Sequence, residues 1–259
     1  MPALPTPAGA PKSGAPDPRP QPPVAVPEER PVRWGLGDAW LGLLLGNAAA
    51  LVAGVAILAA TGYTDTPSDE LPLAIIALLQ IPLWAGYLTM PLVAASRKGN
   101  GLVADFGLRA RPIDVPVGLV LGVLTQLIVV PLVYLPIFKI IGERDVSADA
   151  RALTDRADST VGVILLVLIV VIGAPIVEEL FFRGLLLRSA ERRWGRTWAV
   201  IVSSLVFGAV HLQPLQFPAL VAVGVILALL AQRTGRLGPS IFAHIAFNAV
   251  AVGSLLAGR

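Results

Sequence analysis

An all-α bundle of membrane-spanning helices, about seven of them within a range of six to eight, is the fold class this sequence predicts. Three observations predict it. Of 259 residues, 55% are hydrophobic and 14% are charged, where a soluble domain carries about 25% charged residues. The mean hydropathy is +0.75. The apolar residues also fall in runs near the roughly 20 residues that a helix needs to cross a bilayer. Gly (25) and Pro (23) are abundant, as is common in membrane helices. The absence of Cys excludes a disulfide framework, a thiol nucleophile and a Cys-based zinc site. No basic stripe interleaved with aromatics is present, so nucleic acid is not an expected partner. The partner that composition predicts is membrane lipid.

The elements follow in order. Residues 1–33 read as a disordered, cytoplasmic, Pro-rich tail: 11 of the first 31 residues are Pro, and so little apolar surface cannot offset the entropy of ordering. Seven apolar runs follow, at about 38–60, 71–94, 115–141, 161–189, 197–213, 217–232 and 239–257. The third contains Pro116, Pro131 and Pro136, which predicts a kink or break. The fifth and sixth are short. Gly42 and Gly46, and again Gly118 and Gly122, have the spacing of close helix contacts. The first two runs form an N-terminal group (34–100), and the remainder forms a second membrane domain (101–259).

Charge placement gives an orientation. Arg97, Lys98, Arg109 and Arg111 mark the second loop, Arg188, Arg192, Arg193 and Arg196 the fourth, and Arg233 and Arg236 the sixth. The first and fifth loops have no Lys or Arg, and the third is mixed. The positive-inside rule then places the N-terminus in the cytoplasm and, after seven spans, the C-terminus outside.

Ionisable residues within spans are costly and therefore point to function. The fourth run holds Glu178, Glu179 and Arg183; the fifth holds His211 and the seventh His244, with Asn248 one turn on. Asp38, Asn47, Gln80 and Gln126 each stand alone in earlier runs. Glu179 and Arg183 are i,i+4 and form a structural ion pair. Glu178 lies about 100° away round the helix and has no basic residue three or four positions off. A carboxyl there is either a general base with a raised pKa or a protonated group bonded to a carbonyl. Phe207 and His211 are i,i+4, so the ring packs on the imidazole, which is either a satisfied core group or a catalytic one. His244 and Asn248 share a face, either as two convergent donors for an oxyanion or as a polar helix contact. Measured from the end of each run, Glu178 lies at a depth of roughly 18 Å, His211 at 21 Å, Asn248 at 14 Å and His244 at only 8 Å.

The ordered motifs Glu178-Glu179-x-x-x-Arg183, Phe207-x-x-x-His211 and His244-x-x-x-Asn248 resemble those of the CAAX protease and bacteriocin-processing (Abi) family of intramembrane endopeptidases. Asp105-Phe106-Gly107-Leu108-Arg109 resembles the family's lead-in, and the likeness covers about residues 101–257. The resemblance implies that Glu178 activates the hydrolytic water with help from His211. It also implies that His244 and Asn248 stabilise the oxyanion, and that Glu179, Arg183 and Phe207 support them. The family is often labelled metalloprotease, which makes zinc on Glu178, His211 and His244 an alternative. A metal-free water is favoured because ligands are few. Two other functions fit the same residues: a non-catalytic scaffold or immunity-type protein, and a proton-coupled transporter.

Overall fold

The structure, a computed structural model, describes residues 1, 3 and 30–258. Most of the Pro-rich segment therefore lies outside the described residues. Residues 30–33, which composition assigns to the tail, are hydrogen bonded: Arg30 N–H donates to Asn100 Oδ1 at 2.8 Å, and Arg33 N–H to the Lys98 carbonyl at 2.7 Å. The helices are α1 (Leu36–Thr61), α2 (Leu73–Lys98), α3 (Leu102–Phe106), α4 (Asp114–Ile141), α5 (Ala148–Asp155), α6 (Thr160–Ala209), α7 (Phe217–Thr234) and α8 (Gly238–Ala257). Six of them, all but α3 and α5, are long and apolar enough to span a membrane.

The six become seven crossings because α6 reverses. Gly195 sits inside it at φ 79°, ψ 173°, a conformation that L side chains rarely adopt. The reversal is plain from contacts: the Ser203 hydroxyl donates to the Phe182 carbonyl at 3.4 Å, and the Phe182 and Phe207 rings lie 5.3 Å apart. Along a straight helix, 21 residues would hold the first pair about 31 Å apart. The fifth crossing also ends earlier than its hydropathy predicts, at Ala209, so His211 lies in the turn after the helix. The predicted break in α4 is instead a widened, π-helical turn at Thr125–Val129 within a continuous helix.

Both Gly pairs are close helix contacts. A Cβ on Gly86 would overlap the Gly46 backbone where α1 meets α2, and a Cβ on Gly122 would overlap the Ala243 carbonyl where α4 meets α8. Backbone cannot step aside as a flexible side chain can. Gly122→Ala is therefore expected to cost about 1–3 kcal/mol, seen as an earlier thermal transition in detergent. Gly253→Ala, which meets nothing within 4 Å, should stay within about 0.5 kcal/mol of the parent.

The two ends of the bundle are tied differently. At the basic end, the turn before α8 is drawn inward. Leu237 is fully buried, and its N–H donates to the Gly107 carbonyl at 2.8 Å. Arg236 grips Asp114 with two hydrogen bonds, at 2.7 and 2.5 Å. Arg188 Nη2 donates to the Gly235 carbonyl at 3.0 Å. Asp38, read as solitary, pairs there with Lys98 at 2.5 Å. At the other end Arg156 of the mixed third loop donates to the Ser68 carbonyl at 3.2 Å, joining the first and third loops. Large apolar side chains such as Leu44, Leu51, Val52 and Leu135 face outward, where a bilayer covers them.

Candidate active site

The site begins with a proline. Val167–Gly173 is π-helical, and at its end the bonding runs five residues back: the Ala174 N–H donates to the Ile169 carbonyl. The next bond in that series would run from residue 175 to Val170, but residue 175 is Pro and has no N–H. The Val170 carbonyl is left over, and Asn248 Nδ2 donates to it at 2.8 Å. Asn248 thus has a structural partner that its helical spacing from His244 does not reveal. No contact joins it to the other polar groups of the site.

Three and four residues after Pro175 come the two glutamates, and a second π-helical stretch, Glu179–Leu186, begins with the latter. Such stretches are enriched at functional positions. Glu179 and Arg183 are fully buried, with Nη1 and Oε1 2.9 Å apart, as their spacing predicts. The pair is not self-sufficient: the same Oε1 also receives His244 Nδ1 at 3.1 Å. Arg183 lies 4.2 Å over the Phe207 ring, and its Nη2 donates to the Gly224 carbonyl at 3.4 Å. Its Nε remains without a hydrogen-bond partner.

Glu178 is not isolated either. Its own helix places the Arg183 charge near it, and α8 brings His244 Nε2 to 3.8 Å from its Oε2. The Glu178 side chain is 19% exposed, whereas that of Glu179 is wholly enclosed. His244 therefore bridges the two carboxylates, one ring nitrogen on each. Glu179, an acceptor held by Arg183, fixes the proton on Nδ1 and turns Nε2 toward Glu178.

The shallow depth inferred for His244 is corrected by the inward turn before α8. The Arg188–Gly235 hydrogen bond sets a common level. Glu179 lies nine residues above it in α6, and His244 lies nine residues beyond Gly235 and six beyond Gly238, where α8 begins. The 3.1 Å contact of His244 Nδ1 with Glu179 puts the two at one level; the error came from counting α8 from a membrane edge, whereas its first residue is buried.

His211 approaches from the turn after α6. Its Nδ1 donates to the Phe207 carbonyl at 2.7 Å, and its ring meets the Phe207 ring at 4.9 Å and 66°. Phe207 also meets His244 at 5.7 Å, so one aromatic ring touches both imidazoles. The next residue, Leu212, has φ 54° and is 86% exposed. That left-handed backbone is uncommon for a residue other than Gly, and here it ends the segment that carries His211.

Zinc on Glu178, His211 and His244 would require the three to converge on one point. Among the described residues no group of three His, Asp or Glu side chains is placed to hold a metal. His244 Nδ1 is engaged by Glu179 and His211 Nδ1 by a carbonyl, which leaves the Nε2 atom of each ring open.

One neighbour was not foreseen. Tyr87 on α2 stacks on Phe181 at 4.6 Å and 13°, meets Phe182 edge-on, and accepts from Asn47 Nδ2 at 3.2 Å. Phe181 and Phe182 are three and four residues beyond Glu178 and share its face. The N-terminal helices thus line this side of the site. Only the polarity of Asn47 hinted at it in the sequence.

A seven-crossing helical membrane protein that draws two glutamates, an arginine and a histidine into one buried cluster is the class these features define. Residues 160–250 match the family model for a type II CAAX prenyl endopeptidase, Rce1-like. Over 88 residues the chain is 32% identical to "Putative membrane peptidase YdiL" of Bacillus subtilis (strain 168), a stretch covering 34% of this chain and 36% of that protein. The chain thus spans about a third of the length of the curated relative it matches. No solved structure matches. The segment 160–250, which carries all three motifs, is similar to that endopeptidase family.

Proposed function

We propose that the chain is an intramembrane endopeptidase in which Glu178 activates a water to hydrolyse a peptide bond of a membrane-associated protein or peptide. The observation that carries this reading is the geometry between Glu178 and His244. Their 3.8 Å separation is too long for a direct hydrogen bond and suits two groups that share one small oxygen ligand. Glu178, the more accessible carboxyl, takes a proton from that water as its oxygen attacks the substrate carbonyl, and then passes the proton to the leaving amide nitrogen. One C–N bond breaks, one C–O bond forms, and the products are an acid and an amine.

His244 positions the water, and Glu179 orients His244, much as a carboxylate orients a catalytic imidazole elsewhere. His211, steadied by Phe207, closes the other side. Asn248 acts one step back: by bonding Val170 it holds the widened turn that presents Glu178. The basic end lies in the cytoplasm, as the loop charges require.

The test uses the purified chain in nanodiscs with a set of membrane peptides, in water enriched in oxygen-18. Hydrolysis should place the label in new C-terminal carboxyl groups. Cleavage should change by less than about twofold with a strong chelator, because no residue role here needs a metal. If folded protein produced no labelled terminus from any peptide, the protease reading would fall.

A further inference from the structure

At the basic end, away from the glutamates, lies a second polar cavity of about 250 Å³, lined by Trp34, Asn100, Asp105, Arg188, Glu191 and Arg192. Its donors and acceptors do not balance. Asp105 Oδ2 already accepts the Asn100 and Gly101 N–H groups at 2.7 and 3.1 Å. Glu191 has Arg196 at 3.6 Å. Arg188 has the charges of Glu191 and Asp105 near it, and Arg192 that of Asp105, but two N–H donors are not served. Trp34 is 4% exposed, and its indole N–H has no partner. Arg188 Nε is likewise buried without one. Arg192 lies 3.9 Å over the Trp34 ring and donates to the Trp34 carbonyl. Buried donors are rarely left unmet, and these two, one of them within the Arg188 guanidinium, beside the Arg192 guanidinium suit an anion with several acceptor oxygens.

Position narrows the class. The cavity sits where α1 begins and α2 ends, beside the reversal of α6, where Trp194 and Trp198 are exposed. Exposed Trp together with Arg marks the headgroup layer of a bilayer, and basic pockets at that level bind anionic lipid headgroups. We infer that this cavity binds the phosphate of an anionic membrane lipid, with the Trp34 indole N–H and the Arg188 and Arg192 guanidinium groups as its donors. The bound phosphate would also fasten residues 30–34 onto the turn between α2 and α3. The site is independent of the glutamate cluster and of any activity there.

The full chain in neutral detergent should retain phosphatidylglycerol in native mass spectrometry, and its thermal transition should rise with added short-chain phosphatidylglycerol but not with phosphatidylcholine. Trp34→Phe keeps the ring over which Arg192 lies but removes one donor, and should weaken apparent affinity about tenfold. Arg188→Gln should weaken it by at least as much and decides the matter if the Trp34 variant does not fold. Unchanged retention in Arg188→Gln, or equal retention of phosphatidylcholine, would overturn the inference. Inorganic phosphate alone producing the full shift would overturn the lipid assignment.

Discussion

Glu178→Gln is expected to lower peptide cleavage by about 10²–10⁴-fold, the usual contribution of a positioned general base, without loss of the fold. The amide has the size of the carboxyl but cannot take a proton from water. Glu178 can be altered safely because its side chain is partly exposed and its contact with His244, at 3.8 Å, is longer than a hydrogen bond. Its burial is not what holds the helices together. The measurement is the cleavage rate of variant and parent, each shown to be folded by its thermal transition. Cleavage within tenfold of the parent would remove Glu178 from the mechanism.

Arg183→Met should act the opposite way, on the fold first. Arg183 and Glu179 are both wholly buried, and losing one leaves the other as an uncompensated charge, at a cost of about 3–5 kcal/mol. Methionine keeps much of the apolar volume against Phe207, so the loss measures charge more than packing. A second replacement, Glu179→Gln, removes the stranded charge and should recover much of the stability. It should not restore cleavage, because His244 Nδ1 loses its anionic anchor. Recovery of both properties together would mean that Glu179 does not orient His244. A thermal transition unchanged in Arg183→Met would contradict the burial of the pair.

The sequence made some of this legible and concealed the rest for physical reasons. Apolar runs long enough for a bilayer reveal crossings, because a span needs both length and apolarity. The i,i+4 spacing of Glu179 and Arg183, and of Phe207 and His211, reveals contacts within one stretch of chain. Spacing says nothing about the level at which a neighbouring helix enters. His244 looked too shallow because the buried position of Leu237 is set by Gly107, 130 residues earlier. Glu178 looked unpartnered for the same reason. The Asn248–Val170 bond depends on a π-helical turn meeting a proline, and no hydropathy pattern reports a turn's width. Tyr87 was passed over because a tyrosine in an apolar run reads as packing until its neighbours are known.

The reversal at Gly195 bears on how this domain can change length. Glu178 lies 17 residues before Gly195 and His211 lies 16 after it. Adding one residue within either arm would slide that arm by about 1.5 Å and rotate it by about 100°, carrying one group out of step with the other. Adding residues at the bend itself, around Arg193 to Arg196, would leave both where they are. Insertions and deletions should therefore be tolerated at the bend and rejected in the arms, which makes the bend the place where the protein can extend into water without disturbing its interior.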